Sequence, residues 1–242
     1  MDSIETRNSN TSVKIVMSTD SDRSKRDIQI SKALSYLLRH GAVKEKLPMD
    51  NNGYIAISTL LGHNRLKTHK CTREDLERVV ANNDKKRFVI NAQNDMIAAT
   101  QGHSVQLKPD ESVLTPVTDA NELPPQLIHG TNIRNCMLIV ESGKLSKMKR
   151  NHVHLSAGVI GQDKGVISGM RVSSNVYIYI KRDADTLSHL QLFKSLNNVY
   201  LCENDIPTQY FEKVEIRGSK DPEGQAKLRS LLEQHSIPCT SV

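Results

Sequence analysis

An apolar stripe near the N-terminus constrains this chain more than any other feature. Ile30, Ala33, Leu34, Leu37 and Leu38 recur at i, i+3, i+4, i+7 and i+8, the spacing of one face of an α-helix. The spacing predicts a helix from Asp27 to His40. At about 100° per residue, Arg39 falls about 180° from Ile30, opposite the stripe, and His40 falls at its flank. Gly41 is then a candidate C′ residue. A cation in the last turn complements the helix dipole, so Arg39-His40-Gly41 can be read as a helix end and nothing more. The stripe itself has to be buried, and the following segments must supply the surface.

Those segments read as two more helices and a hairpin. Pro48, Asn51, Asn52 and Gly53 mark a turn. Tyr54–Ile57 reads as a short strand, and a second helix follows from Ser58 with Leu60 and Leu61. Thr72, with Asp75 three residues on, resembles a capping box, and the helix it opens carries Leu76, Val79 and Val80. Arg87–Asn91 and Met96–Thr100 flank a polar turn and predict a β-hairpin. Three helices and a hairpin describe a winged helix, expected over residues 27–106. Pro109, Pro116, Pro124 and Pro125 place a lobe boundary within 105–126.

Beyond it the pattern changes. Ile128–Thr131 reads as a strand end or turn, and Asn132–Ser142 as a helix ended by Gly143. Val153–Ser156, Val176–Ile180, Val199–Leu201 and Val214–Ile216 read as strands, and Gln225–His235 as a helix. The predicted class is α+β in two lobes, the second spanning 107–242. Residues 1–26, rich in Ser, Thr, Asn and charge, read as a disordered tail.

The chain has 242 residues, long enough for a sizeable core, and a net charge of +6 that suits a phosphate-bearing partner. Trp is absent and aromatics are scarce, which argues against a stacking platform for single-stranded nucleic acid. Cys71, Cys136, Cys202 and Cys239 are far apart with no CxxC pair, so neither a zinc site nor a disulfide framework is expected. No apolar run matches a transmembrane helix or a secretory h-region. These features predict an intracellular protein, cytoplasmic or nuclear, with no membrane partner.

Neither GxGxxG nor GxxxxGK[ST] is present, and no HExxH or acid pair stands out. What recurs instead is Arg and His in short, turn-bounded strings: Leu38-Arg39-His40, Lys85-Lys86-Arg87-Phe88, Gln101-Gly102-His103-Ser104, His129-Gly130-Thr131 and Arg150-Asn151-His152-Val153-His154-Leu155-Ser156. Arg presents a planar, permanently charged fork that matches phosphate, and His can move a proton near neutral pH. Such a set would suit a phosphate dianion and the charge that develops during its transfer. Each string also has a plain alternative: Lys85–Arg87 as a solvated turn, His154 as a structural core histidine, His129 as a turn cap.

Taken in order, the strings resemble the RNA (tRNA) 2′-phosphotransferases, the Tpt1/KptA family. The resemblance runs from Ser31–His40 through Gly53-Tyr54 and the strings above to Asn197-Asn198-Val199-Tyr200-Leu201, and is nearest to fungal members. It implies an N-terminal winged-helix lobe and a C-terminal ADP-ribosyltransferase-like lobe around a cleft. It implies NAD⁺-dependent transfer of the internal splice-junction 2′-phosphate of tRNA, through a 2′-phospho-ADP-ribosylated RNA, to 2′-OH RNA, ADP-ribose 1″,2″-cyclic phosphate and nicotinamide. It implies catalytic roles for Arg39, His40, Arg87 and Arg150. Cofactor contacts fall on His129, Gly130, Thr131, His154, Ser156, Arg171 and Val199, and substrate-phosphate or RNA contacts on Lys85, His103 and Ser104. NAD⁺ would be a co-substrate, no metal would take part, and the protein would be a monomer. Val199 stands where a transferase of proteins would carry a catalytic Glu. A mono-ADP-ribosyltransferase acting on protein or nucleic acid is the alternative enzyme, and a winged-helix binding module without catalysis is the non-enzymatic one.

Overall fold

A computed structural model describes residues 20–218 and 220–241. Helix α1 (Asp20–Tyr36) leads through a five-residue π-helical turn, Leu37–Gly41, into strand β1 (Ile55–Ala56), then α2 (Ile57–Leu61), α3 (Asn64–Lys67) and α4 (Arg73–Ala81). Strands β2 (Phe88–Asn91) and β3 (Met96–Ala99) follow, and β1, β3 and β2 form one antiparallel sheet. The expected apolar stripe is the centre of this half. Ile30, Leu34, Leu37 and Leu38 are wholly buried with Ile55, Leu60, Leu66, Leu76 and Ile97. Helix α4 starts as its sequence indicates: Thr72 accepts from the Asp75 amide and Asp75 accepts from the Thr72 amide.

Three expectations change here. Residues 1–19 of the expected tail lie outside the described residues, but residues 20–26 are helical, so α1 starts seven residues before Asp27. Tertiary contacts explain why a polar stretch is helical. Arg26 donates to Asp75 (Nη1 to Oδ1, 3.0 Å) and to the carbonyls of His69 and Lys70, and Arg78 pairs with Asp27 at 2.7 Å. Gly41 is not the C′ residue. The helix-like path ends in a Schellman pair, Leu47 N–H to Ala42 O (2.8 Å) and Lys46 N–H to Val43 O (3.2 Å), with Lys46 left-handed at φ 53°. Gly41 is glycine for space: a Cβ there would lie 2.6 Å from the Tyr36 ring. Helix α3 was not foreseen; the His63 ring nitrogen caps it by accepting from Arg65 N–H.

The C-terminal half comprises β4 (Leu114–Pro116), β5 (Ile128–Thr131), α5 (Ile133–Glu141), β6 (Lys144–Leu145), β7 (Val153–Leu155), β8 (Val176–Ile180), α6 (Ala184–His189), β9 (Leu192–Ser195), β10 (Tyr200–Cys202), β11 (Ile206–Pro207), β12 (Phe211–Ile216), α7 (Pro222–Gln234) and β13 (Cys239–Ser241). Two four-stranded sheets, β4-β9-β10-β7 and β13-β12-β8-β5, are joined by paired backbone bonds between Ile128 and Ser156 of 2.9 and 2.8 Å. Helices α5 and α7 cover them through Cys136, Val140, Leu228 and Leu232, packed on Val176, Ile178 and Val214. The proline-rich stretch read as a boundary contributes β4, an edge strand, where Pro116 breaks no ladder. Tyr54 packs with Val113, Leu114, Val199 and Leu201, so the two halves share a small apolar seam. The protein is a mixed α+β structure. All four cysteines are free thiols, and among the described residues no helix is long and apolar enough to cross a membrane.

Candidate active site

The Arg39 end of the first helix is shaped by a distant loop. In the π turn the Arg39 carbonyl accepts from the Ser104 amide at 2.9 Å and, more weakly, from the Val105 amide at 3.4 Å. A π turn leaves a carbonyl free for such a partner, and these turns concentrate at functional sites. The Arg39 side chain turns inward over Gly102, whose φ of +90° needs no Cβ and whose absent Cβ would sit 3.6 Å from Arg39 Nε. His40 projects to solvent, its Nδ1 2.9 Å from Ser104 Oγ. Ser104 Oγ also lies 3.5 Å from the Arg39 carbonyl. If that hydroxyl donates to the carbonyl, His40 carries its proton on Nδ1 and its Nε2 is free to accept.

Arg87 enters β2 from a tight turn in which Lys86 is left-handed at φ 44°. Asn83 Oδ1 accepts from the Arg87 amide (3.1 Å), Thr100 N–H donates to the Arg87 carbonyl (2.9 Å), and Thr100 Oγ1 donates to the Lys86 carbonyl (3.1 Å). The fourth support comes from the C-terminal half: Asn197 Nδ2 donates to the Lys85 carbonyl at 3.0 Å, while Asn197 Oδ1 accepts from Ser195 Oγ at 2.9 Å. Arg150 sits on the turn before β7. That turn is tied to Asp205 through the Lys147 amide (2.9 Å). It is tied to the loop after β3 through Asn151, whose amide donates to the His103 carbonyl (3.1 Å) and whose Nδ2 donates to the Val105 carbonyl (2.9 Å).

These bonds bring the cations close enough to perturb one another. The Arg39 guanidinium is pushed down to about 10, by burial first, then by Arg87 and Arg150. Burial lowers Arg150, with Arg171 adding to it, and lowers Lys85, with Arg87 adding to it. His40 is held below its ordinary value by burial and then by Arg39 and Arg150. His103 is pushed down to about 4, by burial and then by Arg39, His152 and His40. His154 is pushed down to about 3, by burial and then by Arg150, His152, His129 and Arg39. Among the described residues, Arg39 Nε and Nη2, His103 Nε2 and His154 Nε2 are buried with no hydrogen-bond partner. The Arg39 N–H groups are buried donors of a kind rarely left unpaired in a native protein, and their fork matches an anion in charge and donor geometry.

The remaining sequence-derived candidates divide. His129, on β5, donates from Nδ1 to the His154 carbonyl at 3.1 Å, and burial lowers its proton affinity. Thr131 is buried at the end of β5, and the site of a Cβ on Gly130 is occupied by Met170 Cβ (2.7 Å) and Ser174 Oγ (2.9 Å). Ser156 is fully buried, its hydroxyl directed at the Gly158 and Ser168 carbonyls, so its side chain holds the 157–168 loop. Arg171 is exposed and reaches the site through its field at Arg150. Val199 is fully buried in the seam with Leu114 and Leu201, so it packs rather than faces a ligand. Asn151 and Asn197 were present in the motifs, but nothing in the sequence indicated that they bridge the halves. Among the described residues no group of three or more His, Cys, Asp or Glu side chains could hold a metal ion.

Comparison with known proteins places the whole chain rather than the individual site residues. A family model described as RNA 2′-phosphotransferase, Tpt1/KptA family, matches residues 25–204. The chain is 52% identical over 226 residues to a tRNA 2′-phosphotransferase of Saccharomyces cerevisiae, covering 91% of this chain and 97% of that one. It is 36% identical over 206 residues to tRNA 2′-phosphotransferase 1 of Homo sapiens, covering 81% and 79%. It is 34% identical over 186 residues to a probable RNA 2′-phosphotransferase of Acaryochloris marina, covering 77% and 96%.

Proposed function

The chain belongs to the RNA 2′-phosphotransferase (Tpt1/KptA) family, and from that premise we propose that it removes the internal 2′-phosphate of spliced tRNA by transferring it to NAD⁺. The observation that carries this reading is the buried guanidinium of Arg39, whose proton affinity is lowered by burial and by the charges of Arg87 and Arg150, and whose Nε and Nη2 have no hydrogen-bond partner. Such a buried charge is costly until an anion pairs with it. In this reading the N-terminal half is a winged-helix lobe for RNA, and the C-terminal half is an ADP-ribosyltransferase-like lobe for NAD⁺.

Arg39 and Arg87 hold the 2′-phosphate in line for attack, so positioning rather than base strength drives the first step. NAD⁺ supplies the electrophilic ribose carbon, with nicotinamide as leaving group. Arg150, with Arg87, stabilises charge on the non-bridging oxygens during the phosphoryl transfer that follows. His40, neutral near pH 7 and held through Nδ1, takes a proton from the attacking hydroxyl at Nε2 and returns it to the RNA 2′-oxygen. His129 and His154 line the cofactor side with Thr131. His103 and Ser104 complete the phosphate side with Lys85. Nothing in this scheme requires a metal, and the protein acts as a monomer.

Incubation with a 2′-phosphorylated oligonucleotide and NAD⁺ tests the reading. Release of nicotinamide and ADP-ribose 1″,2″-cyclic phosphate, with loss of the RNA phosphate, is expected. NAD⁺-independent dephosphorylation, or stable ADP-ribose on an acceptor that lacks phosphate, would refute it.

A further inference from the structure

We infer that the RNA strand adjoining the 2′-phosphorylated nucleotide lies in the groove between α1 and α4. This rests on the reading that the substrate is RNA, and it adds a binding path that the transferred phosphate itself does not require. An open groove of about 1180 Å³ runs along α1, with His40, Lys85 and Arg87 at its inner end. The site's cations and the groove are therefore one continuous surface.

The wall is built by helical periodicity. Ser24, Ile28, Ser31, Lys32 and Ser35 recur at short helical spacing on the face of α1 away from the buried Ile30 and Leu34, and Arg23, in the exposed first turn, lines the groove's outer end. From Arg23 to His40 is about 25 Å of helix at 1.5 Å per residue, room for several nucleotides at about 3.4 Å each. The opposite wall, from α4 and the turn after it, presents Asn82 and Asn83.

Charge decides what such a groove holds. Arg78 in the wall is already matched by Asp27 and Asp75. Arg23 and Lys32 are exposed and have no acidic partner among the described residues, and they continue the line of Lys85 and Arg87 outward. Asp84 on the rim opposes them with a single negative charge. Serine hydroxyls and asparagine amides between the cations can bond phosphate oxygens and 2′-hydroxyls without reading base identity. Ile28, 51% exposed in the middle of the groove, offers an apolar contact for a ribose or base. A solvated helix face needs neither the concave partner wall nor the continuity with the phosphate site.

The test uses the full chain carrying Arg23→Glu and Lys32→Glu. The control carries Lys67→Glu and Lys181→Glu, exposed cations outside the groove. KM and kcat are measured with a 2′-phosphorylated dinucleotide and with a 2′-phosphorylated oligonucleotide of about ten residues. For the long substrate the groove variant should raise KM about tenfold with kcat unchanged, and the salt slope of binding should fall by about 1.4, two contacts at about 0.7 each. The dinucleotide should be unaffected, as should both substrates with the control variant. Equal effects on short and long substrates, or no effect on either, would overturn the proposal. A fluorescent oligonucleotide without 2′-phosphate is titrated in parallel. If the parent removes no 2′-phosphate, the functional reading fails, and this arm alone judges the groove: unchanged binding by the groove variant would still reject it.

Discussion

Lowering the pH should destabilise the unliganded protein steeply, and the slope can be worked from two residues. His103 and His154 are buried, with relative exposures of 9% and 8%, and are held at about 4 and about 3. In the unfolded chain each titrates at the ordinary value of about 6.5. Between those limits the unfolded state binds more protons than the folded one, so unfolding becomes easier as pH falls. Their contribution is complete above about pH 6.5 and is lost progressively down to about 4 for His103 and about 3 for His154. At pH 5 each has lost about 2 kcal/mol, from about 1.36 kcal/mol per unit over about 1.5 units. Together that is about 4 kcal/mol, a large part of the about 5–15 kcal/mol that holds a protein folded. His40, His129 and His152, also lowered, add with the same sign. Between pH 7 and pH 5 most carboxylates stay ionised, so that interval reads mainly the histidines.

Urea unfolding at pH 7 and pH 5 measures the difference. In a thermal scan about 4 kcal/mol corresponds to a drop of about 8–16 °C for a chain this size. His103→Gln with His154→Gln should flatten the slope, since neither side chain then titrates. Imidazole signals followed by NMR give a check independent of any variant: two should remain neutral at pH 5. Phosphate or ADP-ribose should stabilise the acid state more than the neutral one, because an anion between Arg39 and Arg150 favours the protonated imidazoles. A parent protein equally stable at pH 7 and 5, or all imidazoles titrating near 6.5, would refute the argument.

Three further outcomes follow from the same contacts. Arg39→Lys keeps the charge but loses the planar fork, so nicotinamide release in the presence of 2′-phosphorylated RNA should fall by about 10²-fold or more, with folding unchanged. Asn197→Ala removes the donor to the Lys85 carbonyl and should cost about 1–2 kcal/mol in urea unfolding together with a loss of turnover; Asn197→Asp, which accepts but cannot donate, should behave alike, and wild-type turnover in either variant would dismiss the bridge. Asp75→Ala leaves Arg26 and Arg78 without their shared partner and opens the α4 cap, so chemical denaturation should show a loss of about 3–5 kcal/mol.

How much of this was legible in the sequence depends on whether a feature is local. The buried stripe of α1, the Thr72–Asp75 box, the β2–β3 hairpin and the apolar run of β8 are each written in adjacent residues and formed as read. The π turn was not, because its cause lies more than sixty residues away, in the Ser104 amide that takes the Arg39 carbonyl. Helix α1 likewise extends through a polar stretch that is tied down by distant partners, Arg26 to Asp75 and Asp27 to Arg78. The same distinction separates the site's chemistry from its assembly. Arg and His strings announce anion chemistry through residue type, and their ordered resemblance to one family supplied their roles. Their convergence depends on Asn151 bonding to the His103 and Val105 carbonyls and Asn197 to the Lys85 carbonyl. Such bonds have no period and no composition signal, since an amide that bridges two lobes looks like any turn asparagine. The Arg39-His40-Gly41 helix end illustrates both halves. Its cationic character was visible at once, yet a dipole cap and a phosphate site make the same demand on sequence. The loop that folds back over it, with Gly102 under the guanidinium and Ser104 on the imidazole, adds what adjacent residues do not carry: a cap would leave Arg39 in water, and here its Nε and Nη2 are buried and unpaired.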